Sequence, residues 1–294
     1  MPGNEASFSS HFAADMVLLG VSIFWGTSFA IVKEALVETS PANFLFIRFF
    51  FACILLVPIA WSRRRRWSKQ FLKPGAIVGF LLFSAFLAQA WGLVYTSASR
   101  SGFITGLSVI LVPLLSIIFL QRVPARLAML GAGLAFLGLY LLTSVDQAQG
   151  LPFNAGDLLT LICAVLWAAH ILALGHYSPG RDTFWLTFLQ LMTSCLGSFA
   201  WVSISGKLDL ALSAGVYVAA FYLAVACTIL AYLGQTWAQA RTTPTRTAII
   251  LSMEPVFAAL FAWLWLNERM GLWGGIGAGL ILCGILLAEL KPKF

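Results

Sequence analysis

Charge is what this sequence has least of. Only 10% of its 294 residues are Asp, Glu, Lys or Arg, while 60% are hydrophobic. A soluble domain of that length could not cover its core with so few charges, which excludes a water-soluble globular reading. Histidine is scarce, at three residues, and no His-Glu-x-x-His stretch is present. There is also no Gly-x-Ser-x-Gly elbow and no Asn-x-Ser/Thr sequon. The missing Gly-x-x-x-x-Gly-Lys argues against an ATP-driven pump. Lys and Arg are absent before Lys33, so the basic n-region expected of a cleaved signal peptide is lacking. The five cysteines (Cys53, Cys163, Cys195, Cys227, Cys283) follow no metal or redox spacing and read as small packing residues. No cofactor and no metal are expected.

What is present is apolar sequence in blocks of about 20 residues, the length that crosses a hydrocarbon core about 30 Å thick. Ten such blocks are predicted, at 14–33, 41–61, 74–94, 100–121, 125–144, 156–175, 183–204, 214–240, 244–266 and 270–290. Pro41, Pro74, Pro124, Gly156, Pro179-Gly180 and Pro244 punctuate their boundaries. The connections are short and leave no room for an inserted soluble domain.

The net charge of +7 is unevenly distributed. Alternate connections carry Arg63 to Arg66, Lys69, Lys73, Arg122, Arg126, Arg181, Arg241, Arg246, Lys291 and Lys293. The opposite side carries only Lys33, Arg100, Lys207 and Arg269. The positive-inside rule therefore predicts both termini in the cytoplasm of a multi-pass cell (inner) membrane protein. The Arg63–Arg66 run reads as an anchor on an anionic leaflet and not as a nucleic-acid site.

A shift of 142 residues superposes the chain on itself. Asp15 then meets Asp157, Trp25 meets Trp167, Phe46 meets Phe188, and Cys53 meets Cys195. Gly92 meets Gly234, Ala98 meets Ala240, Thr105 meets Thr247, and Pro113 meets Pro255. Beyond Pro113 the shift becomes 146, placing Gly131-Ala132-Gly133-Leu134 on Gly277-Ala278-Gly279-Leu280. The fold class expected is thus an all-α integral membrane protein with ten transmembrane helices in two five-helix repeats, 1–147 and 148–294. Five is odd, so the second repeat is inverted across the membrane, as in many secondary transporters, with the substrate site between the halves.

Polar residues at membrane depth are the candidate site. Glu254 lies ten residues past Pro244, about 15 Å deep, where a carboxyl group is protonated, paired or facing a wet cavity. It is the proton-coupling candidate. Pro255 beside it, and Pro113 in the fourth span, are candidate helix hinges. Arg48 lies seven residues past Pro41 and reads in two ways: snorkelling to the headgroups, or gripping a substrate carboxylate with two hydrogen bonds. Its repeat partner is the uncharged Gln190. Gln89, His170, Tyr232, Gln235 and Gln239 add hydrogen-bonding groups, and Trp25, Trp91, Tyr95, Trp167 and Trp237 offer rings to stack a planar substrate or anchor at the interface. Trp25, Arg48, Gln89, Trp167, His170, Tyr232 and Glu254 form the predicted substrate-binding set. Gly271, Gly275 and Gly279 recur on one face of the last span, for packing against a neighbouring helix or a second copy. A monomer or a weak homodimer through that span is expected.

These residues resemble a known family. Trp25-Gly26-Thr27-Ser28-Phe29, Arg48-Phe49, Tyr95-Thr96-Ser97-Ala98-Ser99, Pro113 and Glu254-Pro255 are similar in order and spacing to the drug/metabolite transporter superfamily, in its ten-helix EamA-type branch. Asn267-Glu268-Arg269 before a Gly-rich last span adds to the likeness. Gln121-Arg122 departs from it, since the family usually has a glutamate there. The resemblance implies a transporter, not an enzyme, with a central cavity lined by spans 1, 3, 4, 6, 8 and 9. It implies export of amino acids, aromatic ones among them, or of related small metabolites. The partners expected are a small-molecule substrate and membrane lipid, with no nucleic acid. The alternatives are a channel and a lipid-modifying membrane enzyme; the latter would need clustered ionisable residues that the spans lack.

Overall fold

The computed structural model describes residues 3–121, 123–147, 154–266 and 272–289. Every regular element among them is helical. In chain order these are α1 (Gly3–Gly26), α2 (Ser28–Ala35), α3 (Pro41–Ser62), α4 (Leu72–Tyr95), α5 (Ala98–Gly106), α6 (Ser108–Leu120) and α7 (Arg126–Gln147). There follow α8 (Ala155–Tyr177), α9 (Thr183–Ile204), α10 (Ala214–Ala224), α11 (Ala231–Gln239), α12 (Pro244–Leu251), α13 (Glu254–Leu266) and α14 (Leu272–Glu289). Seven stretches among the described residues are long and apolar enough to cross a membrane, and Arg126–Leu141 and Leu272–Ala288 are shorter apolar helices. The chain is therefore an all-helical, multi-pass membrane protein.

The helices start where the sequence supplies caps. The Ser40 hydroxyl accepts from the Asn43 amide ahead of Pro41, and Thr243 accepts from the Arg246 amide ahead of Pro244. Proline at the first helical position loses no hydrogen bond, because that amide has no partner within the helix. Asn154 and Asp157 form a reciprocal capping box at the start of α8, and Asp182 caps α9. In a bilayer, where water cannot satisfy these amides, such caps fix each helix end near the interface.

Four of the predicted spans are not continuous helices. The first breaks at Thr27, the fourth at Leu107 and the ninth at Ser252-Met253, while the eighth carries a π turn at Val225–Leu230 between α10 and α11. Apolar character runs through the breaks, and the candidate hinges Pro113 and Pro255 fall in two of the four interrupted spans. Pro113 lies inside α6, six residues beyond the break at Leu107. Pro255 is the second residue of α13, directly after the other break, where a missing amide costs little. The first helix begins at Gly3, before the predicted boundary at residue 14.

Packing interleaves the two halves. α4 lies against α8 and α9, α1 against α11, α12 and α13, α3 against α9, and α7 against α14. The last pair packs backbone to backbone: a Cβ added to Gly131 would lie 2.5 Å from the Gly284 carbonyl oxygen, and one added to Gly284 would lie 2.5 Å from that of Gly131. The glycine face buried here is not the predicted one. Gly275 and Gly279 are exposed, with open space where a side chain would stand, and Gly271 lies outside the described residues. Rotation of α14 places the Gly277 and Gly284 backbone against α7 instead, with Trp273, Ile276, Leu282 and Leu286 outward. Four cysteines are buried, as packing residues should be, whereas Cys283 is exposed on the outer face of α14. Asn267-Glu268-Arg269, Arg122, Lys291 and Lys293 lie outside the described residues.

One buried ion pair ties the halves at each end of the bundle. Arg246, in the first turn of α12, holds both carboxylate oxygens of Asp15 on α1. Arg100, near the start of α5, reaches Asp157 on α8 at 2.7 Å, and the Thr96 hydroxyl donates to the same carboxylate at 3.0 Å. Lys33, near the far end of the α1–α2 rod from Asp15, donates to the Thr96 carbonyl at 2.9 Å. The Asp157 pair is therefore at the opposite end from the Asp15 pair, some 27 Å along the rod at 1.5 Å per residue.

Candidate functional site

The side chains that line the middle of the bundle come from both halves. Trp25 from α1 contacts Trp167 from α8 and Tyr232 from α11, with ring centroids 5.5 and 5.6 Å apart. Phe86 from α4 meets Trp167 edge-on at 5.5 Å and Tyr232 at 6.2 Å. His170, one turn along α8, stacks on Trp167 at 5.3 Å and 18°. Such tilted and edge-on pairs suit the ring quadrupoles. Relative exposures of Trp25, Trp167, His170 and Tyr232 are 3%, 8%, 0% and 0%.

Arg48 closes one side of this aromatic box. It is 2% exposed, so the snorkelling alternative is not what the structure shows. The guanidinium lies 4.7 Å from the Phe86 ring centroid, donates Nε–H to Thr228 Oγ1 at 2.8 Å, and donates from Nη2 to the Cys227 carbonyl at 3.2 Å. Trp25 Nε1 donates to that same carbonyl at 3.0 Å. Among the described residues no carboxylate lies within ion-pairing distance of Arg48. A buried cation held only by neutral acceptors costs on the order of several kcal/mol, and an arriving anion would offset that cost.

Trp167 also borders a small cavity. Gly102, Thr105, Gly106 and Ser108 line it from the break between α5 and α6, and Ser252, Glu254 and Pro255 from the break between α12 and α13. Its volume of about 20 Å³ is enough for roughly one water and far too little for a metabolite. Glu254 is half-buried at this wall as the first residue of α13, where the helix N-terminus favours a negative group. Gln89 reaches the wall indirectly, its Nε2 donating to Thr105 Oγ1 at 3.4 Å. The predicted set therefore divides in two around Trp167: Trp25, Arg48, His170 and Tyr232 in the box, Gln89 and Glu254 at the cavity.

Sequence reasoning missed several participants. Gln190 pairs with His170 Nε2 at 3.1 Å and donates to Thr236 Oγ1 at 3.2 Å, while Thr187 donates to the same hydroxyl at 3.0 Å. Its place as the repeat partner of Arg48 was the signal that could have found it. Phe86, Cys227 and Thr228 carried no signal, because an aromatic, a thiol and a hydroxyl in an apolar run look like packing. Gln239 donates to the Ile171 carbonyl at 2.8 Å and acts as a helix tie. Tyr95 is exposed, Trp237 lies under Arg241 at 4.1 Å, and Lys207 sits 5.9 Å from the Trp91 ring, all positions toward helix ends. Among the described residues no group of three His, Cys, Asp or Glu is placed to hold a metal.

The model of the EamA-like transporter family matches the sequence twice, over residues 12–144 and 154–290. The chain belongs to that family. An uncharacterized transporter of Archaeoglobus fulgidus is 33% identical over 283 residues, covering 95% of this chain and 86% of its own. The uncharacterized transporter YyaM of Bacillus subtilis is 25% identical, covering 95% and 94%. A crystal structure superposes with a TM-score of 0.77 at 17% identity, covering 95% of this chain and 98% of that one, which speaks to the fold alone. As an EamA-like protein the chain is a membrane transporter.

Proposed function

We propose that this EamA-like protein is a secondary transporter exporting amino acids, aromatic or large neutral ones first, or related small metabolites, across the cytoplasmic membrane. It works by alternating access, with ten spans in two oppositely oriented five-helix repeats and both termini in the cytoplasm. The observation that carries the reading is the pairing of an unbalanced buried cation, Arg48, with an aromatic box built from both halves. A carboxylate on Arg48 and a planar or bulky apolar side chain between Trp25, Trp167 and Tyr232 would satisfy both. Glu254, which lines the same cavity as Trp167, would take the ammonium group or a coupling proton.

The contact pattern supports the inverted repeat. Exchanging the halves turns the α1–α11 contact into the α8–α4 contact, and leaves α3–α9 and α7–α14 paired with themselves. The ion pairs follow the same exchange, Asp15 of the first half corresponding to Asp157 of the second. Each joins the first helix of one half to the fourth span of the other. Opening one end of the bundle breaks one pair and keeps the other, so the pairs act as alternate latches. Counterflow in proteoliposomes tests the substrate reading. Vesicles loaded with unlabelled tryptophan, phenylalanine or leucine should accumulate the labelled amino acid saturably. No exchange with any amino acid, in vesicles holding folded protein, would overturn it.

A further inference from the structure

The residues that hold Arg48 belong to the one π turn in the described chain, Val225–Leu230. In such a turn the hydrogen-bond ladder steps from four residues to five, and π turns collect at functional sites. The Ala231 amide bonds the Ala226 carbonyl, five back, and the Thr228 hydroxyl donates to the Leu223 carbonyl, also five back, at 2.9 Å. A hydroxyl has a single hydrogen. Once Thr228 has given it to Leu223, its oxygen can only accept, and it accepts from Arg48 Nε. Thr228 is 0% exposed, so water does not compete for that oxygen.

The arrangement has a further regularity. Under the 142-residue shift Thr228 corresponds to Phe86. Arg48 is therefore clasped by one position of each half, by a ring on its face and a hydroxyl on its Nε edge. Face and edge together set the plane of a guanidinium. With Nη2 also donating to the Cys227 carbonyl, the Nε edge is occupied and the remaining Nη1 and Nη2 hydrogens are left to meet a ligand in the planar, two-pronged manner that arginine and carboxylate favour.

We infer that Thr228 is a positioning residue: through the π turn, its hydroxyl orients Arg48 toward the carboxylate of the cargo. The inference rests on the reading of Arg48 as the anion subsite. Thr228→Val keeps the shape and removes the acceptor, while Thr228→Ser keeps the acceptor. The readout is competition against counterflow of labelled phenylalanine by unlabelled phenylalanine and by phenylalaninamide, which lacks the carboxylate. The wild-type protein should prefer the acid. That preference should fall about tenfold in Thr228→Val, the worth of one charge-assisted hydrogen bond, and hold in Thr228→Ser. Detergent-solubilised melting curves check folding; should Thr228→Val not fold, Thr228→Ala is scored by the same ratio. A residue that merely packs would lower the rate and leave the acid-to-amide ratio alone. An unchanged ratio in a transporting Thr228→Val protein overturns the positioning role and leaves the amino-acid reading standing. Wild-type exchange of phenylalanine that ignores the carboxylate overturns the anion subsite and the inference together.

Discussion

At the scale of single residues, the account turns on charges that lack ordinary partners. Arg48 is buried against Phe86 and, among the described residues, has the Cys227 carbonyl and the Thr228 hydroxyl as its acceptors. Arg48→Lys keeps the charge but loses the planar fork, so substrate affinity should fall by about a hundredfold, the worth of a bidentate charge-assisted contact. Counterflow at graded substrate concentrations measures it, and an unchanged half-saturation would remove Arg48 from the site. Glu254 makes a separate claim. If it carries the coupling proton, Glu254→Gln should abolish uphill transport driven by a pH gradient yet retain exchange of substrate for substrate. Equal gradient-driven transport in both proteins would assign Glu254 to structure alone. The sequence made Arg48 and Glu254 conspicuous because a charge in an apolar run is rare and costly. It could not make Phe86 or Thr228 conspicuous, since nothing about a phenylalanine or threonine in a span distinguishes packing from contact with a cation.

At the scale of helices, caps and breaks do different work. The starts of α3, α8, α9 and α12 were legible because Pro41, Gly156, Pro179-Gly180 and Pro244 punctuate them, and the structure adds the caps Ser40, Asn154, Asp182 and Thr243. The break at Ser252-Met253 was signalled by Pro255 two residues on, whereas those at Thr27 and Leu107 were not legible, because hydropathy continues through them. The glycine pattern of α14 illustrates the same limit. Periodicity pointed to the Gly275 and Gly279 face, whereas close packing on α7 uses Gly284 against Gly131. A side chain at Gly284 would collide with backbone, which cannot yield as a flexible side chain can. Gly284→Leu should therefore destabilise the protein by about 1–3 kcal/mol or more, and Gly275→Leu should be nearly silent. Thermal unfolding in detergent compares them. An equal fall for both would mean that the Gly275 face is also occupied, and a matching loss of dimer would identify a second copy as its occupant.

At the scale of the whole molecule, helices from the first and second parts of the chain interleave around a centre that holds an aromatic box and a small cavity. The all-helical, multi-pass character was the most legible feature, because apolar block length is a property of the entire chain and averages over local exceptions. What no sequence pattern disclosed was the pairing of Asp15 with Arg246 and of Asp157 with Arg100. These partners are far apart in the chain and meet only because the halves interlock. Their placement at opposite ends makes alternating access directly measurable. A single cysteine introduced at Ser108 on the cavity wall, with the native cysteines replaced, reports which side of the membrane reaches the centre. Labelling by a membrane-impermeant maleimide should rise from the Asp15 side in Asp15→Asn and from the Asp157 side in Asp157→Asn. Opposite shifts are the result that alternate latches predict. Labelling from both sides at once in either variant, or the same shift in both, would contradict an alternating-access transporter.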